Sequence, residues 1–490
     1  LGIENAKGRF GFAALVFLLI ILPIILTPFP PSTDLPQHLA QIRLLGKALE
    51  NPGGPYAIQW LGPNNLVYFL IYVLWTILPV AWTGRGILLV ISLFWLAATH
   101  WLSFIKHRPL PETILASLLF FNSSLYWGFL NFLIGFPVFV GWFYLTTKMD
   151  FQKRSLYWLA LSTMSFLLYE SHALWFAAGA LWLCYIAVVR RYRLKNFIFL
   201  FSSLFPCGFL ALSWYLRFSS LRAASGYDVL PSWHSFYKFG GFVDSVFGGI
   251  EGPIEYITFI FLYGWMAIAV WQNRKRLRER MDENLVAAAI FFLMLFLVLP
   301  HKFMNTIYFS GRWMPIAMIF GLLSLPSMIG KRRNLLLIST GVLLFFVLMT
   351  ASSWLKYSGD ELSGFQEAIN QVEPDSRVLG LDMLRNSHYI KGYPFLQMFS
   401  YTQVFRGSSL NFSFAEHYSG LVALREKRTD YRSSHLLFYP EDVQAHDFQS
   451  VDFVLVSGEK NVHYWISRFS DRLKPVTFGG NWRLYRVLKK

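Results

Sequence analysis

The sequence predicts an α-helical polytopic membrane protein, with about eleven or twelve crossings at roughly 20 apolar residues each, closed by a small C-terminal α/β soluble domain. Three observations predict it. Of 490 residues, 55% are hydrophobic and 18% aromatic, while only 15% are charged; a soluble globular chain carries about a quarter charged residues. The apolar residues come in long runs, among them 11–29, 285–299 and 335–351. Finally, the net charge of +16 is gathered into short clusters between those runs: Arg190 to Lys195, Arg274 to Arg280, and Lys331-Arg332-Arg333. That is the pattern of cytoplasmic loops under the positive-inside rule, not of a nucleic-acid surface.

The first run is longer than a signal peptide's and lacks its small-residue cleavage site, so it reads as a retained helix. A proline-rich polar loop, about 30–60, follows. Inside it Leu35, Leu39, Ile42, Leu45 and Leu49 recur at helical spacing, with Gln37, His38, Gln41, Arg43 and Lys47 on the other side. This predicts an amphipathic helix on the membrane surface. Further apolar runs fall at about 61–80, 86–105, 113–147, 156–189, 196–216, 254–271, 285–300, 312–329 and 334–353. Two of them, 113–147 and 156–189, are long enough for two helices each, with turns near Asn122-Ser123-Ser124 and Glu170-Ser171-His172. Residues 1–356 are thus expected to form the membrane domain.

Placing 1–10, 190–195, 274–280 and 331–333 in the cytoplasm sends loop 30–60, segment 217–252, loop 301–310 and the C-terminal domain to the other side. Lys106-His107-Arg108 conflicts with this, because counting from the first helix puts it outside. From residue 357 to 490 the texture changes. Leu362, Phe365, Ile369 and Val372 mark a helix, 377–381 a strand, 451–456 a buried strand, 462–473 a helix and 482–488 a closing strand. Strands alternating with helices predict an extracytoplasmic α/β domain. Residues 385–448 carry no clear periodicity.

No Walker A, GxGxxG, HExxH or cysteine-based metal motif is present, which argues against an ATP-driven pump. Cys184 and Cys207 lie inside apolar runs and suggest neither a disulfide nor a metal site. The informative residues are polar groups in or near the membrane, because burying them is costly without a use. Asp34 and His38 open the amphipathic helix and share a face at four-residue spacing. An acid there fits two roles, helix cap or catalytic base. Glu170 and His172 interrupt an apolar run, as an interhelical turn or as cavity groups. His301, Lys302, Tyr308 and Arg312 bracket an external loop, where an arginine holds a phosphate through a bidentate contact or snorkels to the interface. Asn122, Asn131, Glu251 and Glu255 are further polar groups near helix ends.

A first helix, an external loop opening on an acid, surface helices, many crossings and a soluble C-terminal domain together resemble the GT-C class of membrane glycosyltransferases. That class includes protein O-mannosyltransferases and lipid A aminoarabinose transferases. The strings Asp34-Leu35-Pro36-Gln37-His38, Trp127-Gly128-Phe129-Leu130-Asn131-Phe132 and Gly311-Arg312-Trp313 are similar to bacterial members. The resemblance implies an inverting transfer of a hexose or pentose from a polyprenyl-phosphate donor to a glycan, lipid or protein acceptor. The setting would be a bacterial inner membrane, on its extracytoplasmic side. It implies Asp34 as base, Arg312 and Lys302 at the donor phosphate, and His38, Glu170, His172, His301 and Tyr308 around the substrate. Many members carry paired acids in the first loop; here one Asp stands with a His four residues on, and a divalent metal stays open. Two other classes share the polar cavity: a lipid or polysaccharide transporter or flippase, and a non-catalytic envelope assembly protein.

Overall fold

Hydrocarbon offers no partner to a free backbone N–H or C=O, so apolar runs that enter it fold as helices. The computed structural model describes residues 6–149, 154–224, 230–233, 239–303, 306–416, 420–426 and 433–489. Parts of the expected external segment 217–252, namely 225–229 and 234–238, lie outside the described residues. Five helices are long and apolar enough to cross a bilayer: Gly8–Leu26, Val80–Ile105, Leu130–Thr147, Ile254–Arg280 and Arg332–Glu361. Leu194–Ser202 and Phe205–Ser220 are together long and apolar enough, with a 59° bend at the break between them. Asn65–Ile77, Ala173–Val189 and Glu283–Val298 are shorter apolar helices. The two overlong runs break in two near Asn122 and at His172. The chain is an integral, multi-pass membrane protein.

The basic clusters meet at one end of the bundle. Arg9 donates to the Arg108 carbonyl (3.0 Å) and Lys106 pairs with Asp282 (3.2 Å). Arg108 donates to the carbonyls of Ser324 and Leu325, and Asn273 to that of Ser327 (3.1 Å). The conflict at 106–108 disappears because run 61–80 is not a crossing. Asn65–Ile77 has 13 residues, about 20 Å of helix. Near its start Tyr68 meets His38. Near its end Leu74 and Leu78 lie against Gly86, two residues from Gly84, which faces Leu35 and Leu39. The helix therefore starts and finishes at the end away from the cations, and Val80–Ile105 then carries the chain back to them.

The surface helix forms as its apolar spacing predicts, over Leu35–Glu50. The first half of its polar side does not meet water, while Arg43 stays exposed. Gln37, His38 and Gln41 are buried because the C-terminal domain sits on them. The Gln37 amide donates to Gln397 (2.9 Å) and Ser400 (2.8 Å) and accepts from the Phe414 N–H (3.1 Å). Gln41 accepts from the Val422 N–H (2.7 Å), and Lys47 pairs with Asp375 (2.7 Å). The helix is a layer between bundle and domain.

The last long helix, Arg332–Lys356, runs through a π-helical turn at Tyr357–Glu361 straight into the domain. Strand β1, Tyr56–Ile58, belongs to the first loop; the domain supplies β2 (Arg377–Asp382), β3 (Ser409–Leu410), β4 (Val422–Leu424), β5 (Phe453–Ser457), β6 (Leu473–Pro475) and β7 (Trp482–Val487). Five strands form a sheet in the order β3-β2-β5-β7-β6, with β3, β2 and β5 parallel and β7 and β6 antiparallel. The helix expected over 462–473 stops sooner, as Lys460–Ile466 and a short 3-10 turn, and Leu473 opens β6. The segment 385–448 contains the helix Tyr401–Arg406, β3 and β4. β4 pairs antiparallel with β1, Leu424 opposite Tyr56. Phe29 packs edge-on against Phe365 (5.0 Å) and Tyr401 (4.9 Å), so the membrane core runs on into the domain. Leu379, Leu381, Val454, Val456 and Ile466 form a separate core on the sheet's far side.

Candidate active site

Asp34 stands where the first loop runs beside the turn at 125–127. Ser32 Oγ donates to the Leu125 carbonyl (2.8 Å), the Thr33 N–H to Tyr126 (2.9 Å) and the Asp34 N–H to Trp127 (3.1 Å). Gly128 closes that turn at φ +76°, and a Cβ on it would lie 2.6 Å from the Asp34 nitrogen. Of the two roles open to Asp34 in the sequence, helix capping is not taken: its side chain makes no cap hydrogen bond. Its carboxylate has no hydrogen-bond partner among the described residues, and the residue is part-exposed. Burial lifts the carboxyl to about 7, and the Arg312 guanidinium pulls it back down. His38, one turn on, has both ring nitrogens engaged, Nδ1 with the Tyr68 hydroxyl and Nε2 with the Gly128 carbonyl, each at 3.1 Å. The carbonyl requires Nε2 to carry the proton, so Nδ1 accepts from Tyr68. Burial holds this imidazole down at about 4, with the Gly128 bond acting the other way. His38 therefore positions the helix start and stays neutral.

Arg312 is buried. Its Nε donates to the Tyr308 carbonyl (3.2 Å) and Nη2 to that of Ile307 (3.0 Å). The guanidinium stacks 3.7 Å from the Phe129 ring centre, a contact that a planar guanidinium makes well. Its Nη1 points at His172 Nε2, 3.4 Å away. His172 begins the helix Ala173–Val189, and its Nδ1 accepts the Leu174 N–H (3.0 Å). A neutral imidazole has one acceptor nitrogen. With Nδ1 spent on Leu174, Nε2 bears a proton and faces a group that only donates. Two donors thus converge with no acceptor between them, the arrangement an oxyanion completes.

Tyr308 holds φ +53°, an uncommon conformation for a bulky residue and a form of strain found at functional sites. Its ring lies between Trp127 (5.1 Å) and His301 (5.1 Å). Asp34, His38, His172, His301, Tyr308 and Arg312 are thereby linked into one neighbourhood. Two expected members are not. Glu170 adjoins Tyr169, whose hydroxyl donates to the Leu61 carbonyl (2.8 Å), and among the described residues no contact joins the Glu170 carboxylate to Arg312 or Asp34. Lys302 is held by backbone pairing with Ser232, and among the described residues no contact joins its ammonium to Arg312 or Asp34. Tyr68 and Tyr393 went unremarked in the sequence. Tyr393 reaches in from the C-terminal domain, its carbonyl accepting from Thr33 Oγ1 (3.2 Å) and its ring 6.0 Å from Trp127. Lys391 anchors that approach through Asp244 (2.6 Å) and Glu255 (3.0 Å). Neither tyrosine has a local signal, since nothing marks one tyrosine among 24. Among the described residues, no three His, Cys, Asp or Glu side chains converge.

A membrane bundle, a surface helix over an acid-bearing first loop and a C-terminal α/β domain make up a fold that a solved structure shares. The crystal structure of ArnT from Cupriavidus metallidurans, bound to undecaprenyl phosphate, has this fold: the two superpose with a TM-score of 0.53 over 98% of each chain, at 10% identity. No protein-family model matches the sequence, and no curated protein does.

Proposed function

We propose that this chain is a GT-C glycosyltransferase. It moves a sugar from a polyprenyl-phosphate donor to an acceptor hydroxyl, on the extracytoplasmic face of a bacterial inner membrane. The observation that carries the reading is the pairing of an unbonded carboxylate, Asp34, with two converging donors, Arg312 and His172, in a chain whose fold is shared with a protein bound to undecaprenyl phosphate.

The acceptor hydroxyl gives its proton to Asp34 as its oxygen attacks the anomeric carbon. The bond from that carbon to the phosphate oxygen breaks, and the departing lipid phosphate keeps the electron pair. Its charge grows against the Arg312 guanidinium and the His172 N–H, fixed donors that need no rearrangement. A single displacement of this kind inverts the anomeric centre. The basic clusters lie at the opposite end of the bundle, which under the positive-inside rule supports an extracytoplasmic Asp34.

Asp34→Asn tests the base, because it keeps the shape and loses proton acceptance. In nanodiscs it should bind undecaprenyl phosphate as the wild type does. In cells it should lower the glycosylated product, followed by mass spectrometry of envelope extracts, about 100-fold or more. Arg312→Ala should weaken undecaprenyl phosphate binding about tenfold or more, and Arg312→Lys less, since lysine keeps the charge and loses the fork. Wild-type product from Asp34→Asn would end the assignment of the base; undiminished binding by Arg312→Ala would end that of the phosphate site.

A further inference from the structure

We infer that Asn131 reads the transferred sugar: the free end of its buried amide hydrogen-bonds a hydroxyl of the donor's sugar ring. The inference rests on the donor reading above. Asn131 is the second residue of the helix Leu130–Thr147 and is only 8% exposed. Its amide lies beside the Tyr68 hydroxyl. Its Oδ1 is buried without a partner among the described residues. Buried amide groups are nearly always satisfied, and an orphan points to a missing partner.

The position says what that partner is. Phe129 and Phe132, in the same helical turn, have the Arg312 guanidinium 3.7 and 5.8 Å from their ring centres. On the other side, Tyr68 bonds His38, which stands one turn on from Asp34. The amide therefore stands between the donors assigned to the phosphate and the carboxylate assigned as base. In a lipid-phosphate sugar, the ring must lie between those two points. A phosphate oxygen cannot satisfy Oδ1, because both only accept. A lipid tail offers no hydrogen bond at all. A sugar hydroxyl satisfies Oδ1 by donating to it.

The test compares three probes on the full chain in nanodiscs by native mass spectrometry, with no acceptor present. They are undecaprenyl phosphate, the same lipid bearing a hexose, and the same lipid bearing a pentose. The wild type should bind at least one sugar-bearing lipid more tightly than the bare one. Asn131→Ala and Asn131→Leu should each lose about tenfold of that preference, the scale of one buried hydrogen bond. Binding of the bare lipid should stay unchanged, which also reports that the variants fold. Preference retained in both variants overturns the inference, as does a wild type that ignores the sugar. A different result, the wild type binding none of the three lipids, overturns the donor reading and this inference with it. Unchanged bare-lipid binding in Arg312→Ala would count against the phosphate site alone.

Discussion

Gly128 fixes where the Asp34 carboxylate stands. Its positive φ and the 2.6 Å approach to the Asp34 nitrogen exclude any side chain. Gly128→Ala should push the first loop off the turn at 125–127. Sugar transfer should fall at least tenfold while undecaprenyl phosphate still binds at Arg312. Equal loss of both would mean a global defect instead. The Asp34 carboxyl also sets a pH dependence. It works as a base only when ionised, and its pKa in the fold is about 7, so the competent fraction grows as pH rises through 7. Transfer rates at limiting substrate should drop about tenfold per pH unit below that point. His38, held at about 4, adds no inflection between pH 5 and 8. The same shift acts on stability. A carboxyl whose pKa rises from 3.8 in the unfolded chain to about 7 in the fold makes the fold less stable as pH climbs between those values. A rate profile flat from pH 5 to 8 would exclude Asp34 as the titrating base.

The surface helix Leu35–Glu50 joins the two halves of the molecule. Gln37→Leu would leave the Phe414 N–H and the Ser400 and Gln397 side chains without their partner. Unsatisfied buried groups of this kind cost about 2 kcal/mol or more in total. The variant should unfold several degrees lower in detergent, measured by intrinsic fluorescence, while Arg43→Leu, on the exposed side, should not. The helix itself was legible because Leu35, Leu39, Ile42 and Leu45 repeat at its period. What covers its polar side was not. Gln37 looks the same in a sequence whether it meets water or a residue some 360 positions later. The failures at 462–473 and 61–80 have related causes. Leu473 continues an apolar helical spacing yet pairs into β6 with β7. Asn65–Ile77 is apolar enough for lipid but too short to cross it.

Across the whole molecule, the basic loop clusters of the bundle lie at one end and the candidate site at the other. In a background without Cys184 and Cys207, cysteines at the exposed positions Asn51 and Lys460 should both react with an impermeant thiol reagent in intact cells. One at Lys275 should react only after permeabilisation. Labelling at Lys275 in intact cells, with none at Asn51, would reverse the orientation. Ser32, in the same loop, is a poor reporter because it is buried. At this scale composition and charge spacing revealed the bundle, since runs and clusters are local properties. The candidate site was legible only where a polar residue stood at the start of a helical pattern, as Asp34 and Arg312 do, or broke an apolar run, as His172 does. Tyr68, Tyr393 and the free amide of Asn131 acquire their meaning from neighbours that only folding supplies.

The pairing of β1 with β4 has a consequence for biogenesis. Tyr56 leaves the ribosome early, while its partner Leu424 is made near the end of the chain. At about 5–20 residues per second, the first loop waits on the order of tens of seconds for the segment that covers it. Through that interval the nascent protein presents Gln37, Gln41 and an unpaired strand edge to the outside. An inserted but unfinished chain thus lacks the cover that the finished domain lays over its first loop. A chain terminated before residue 422 would keep its helices and leave that strand edge permanently unpaired.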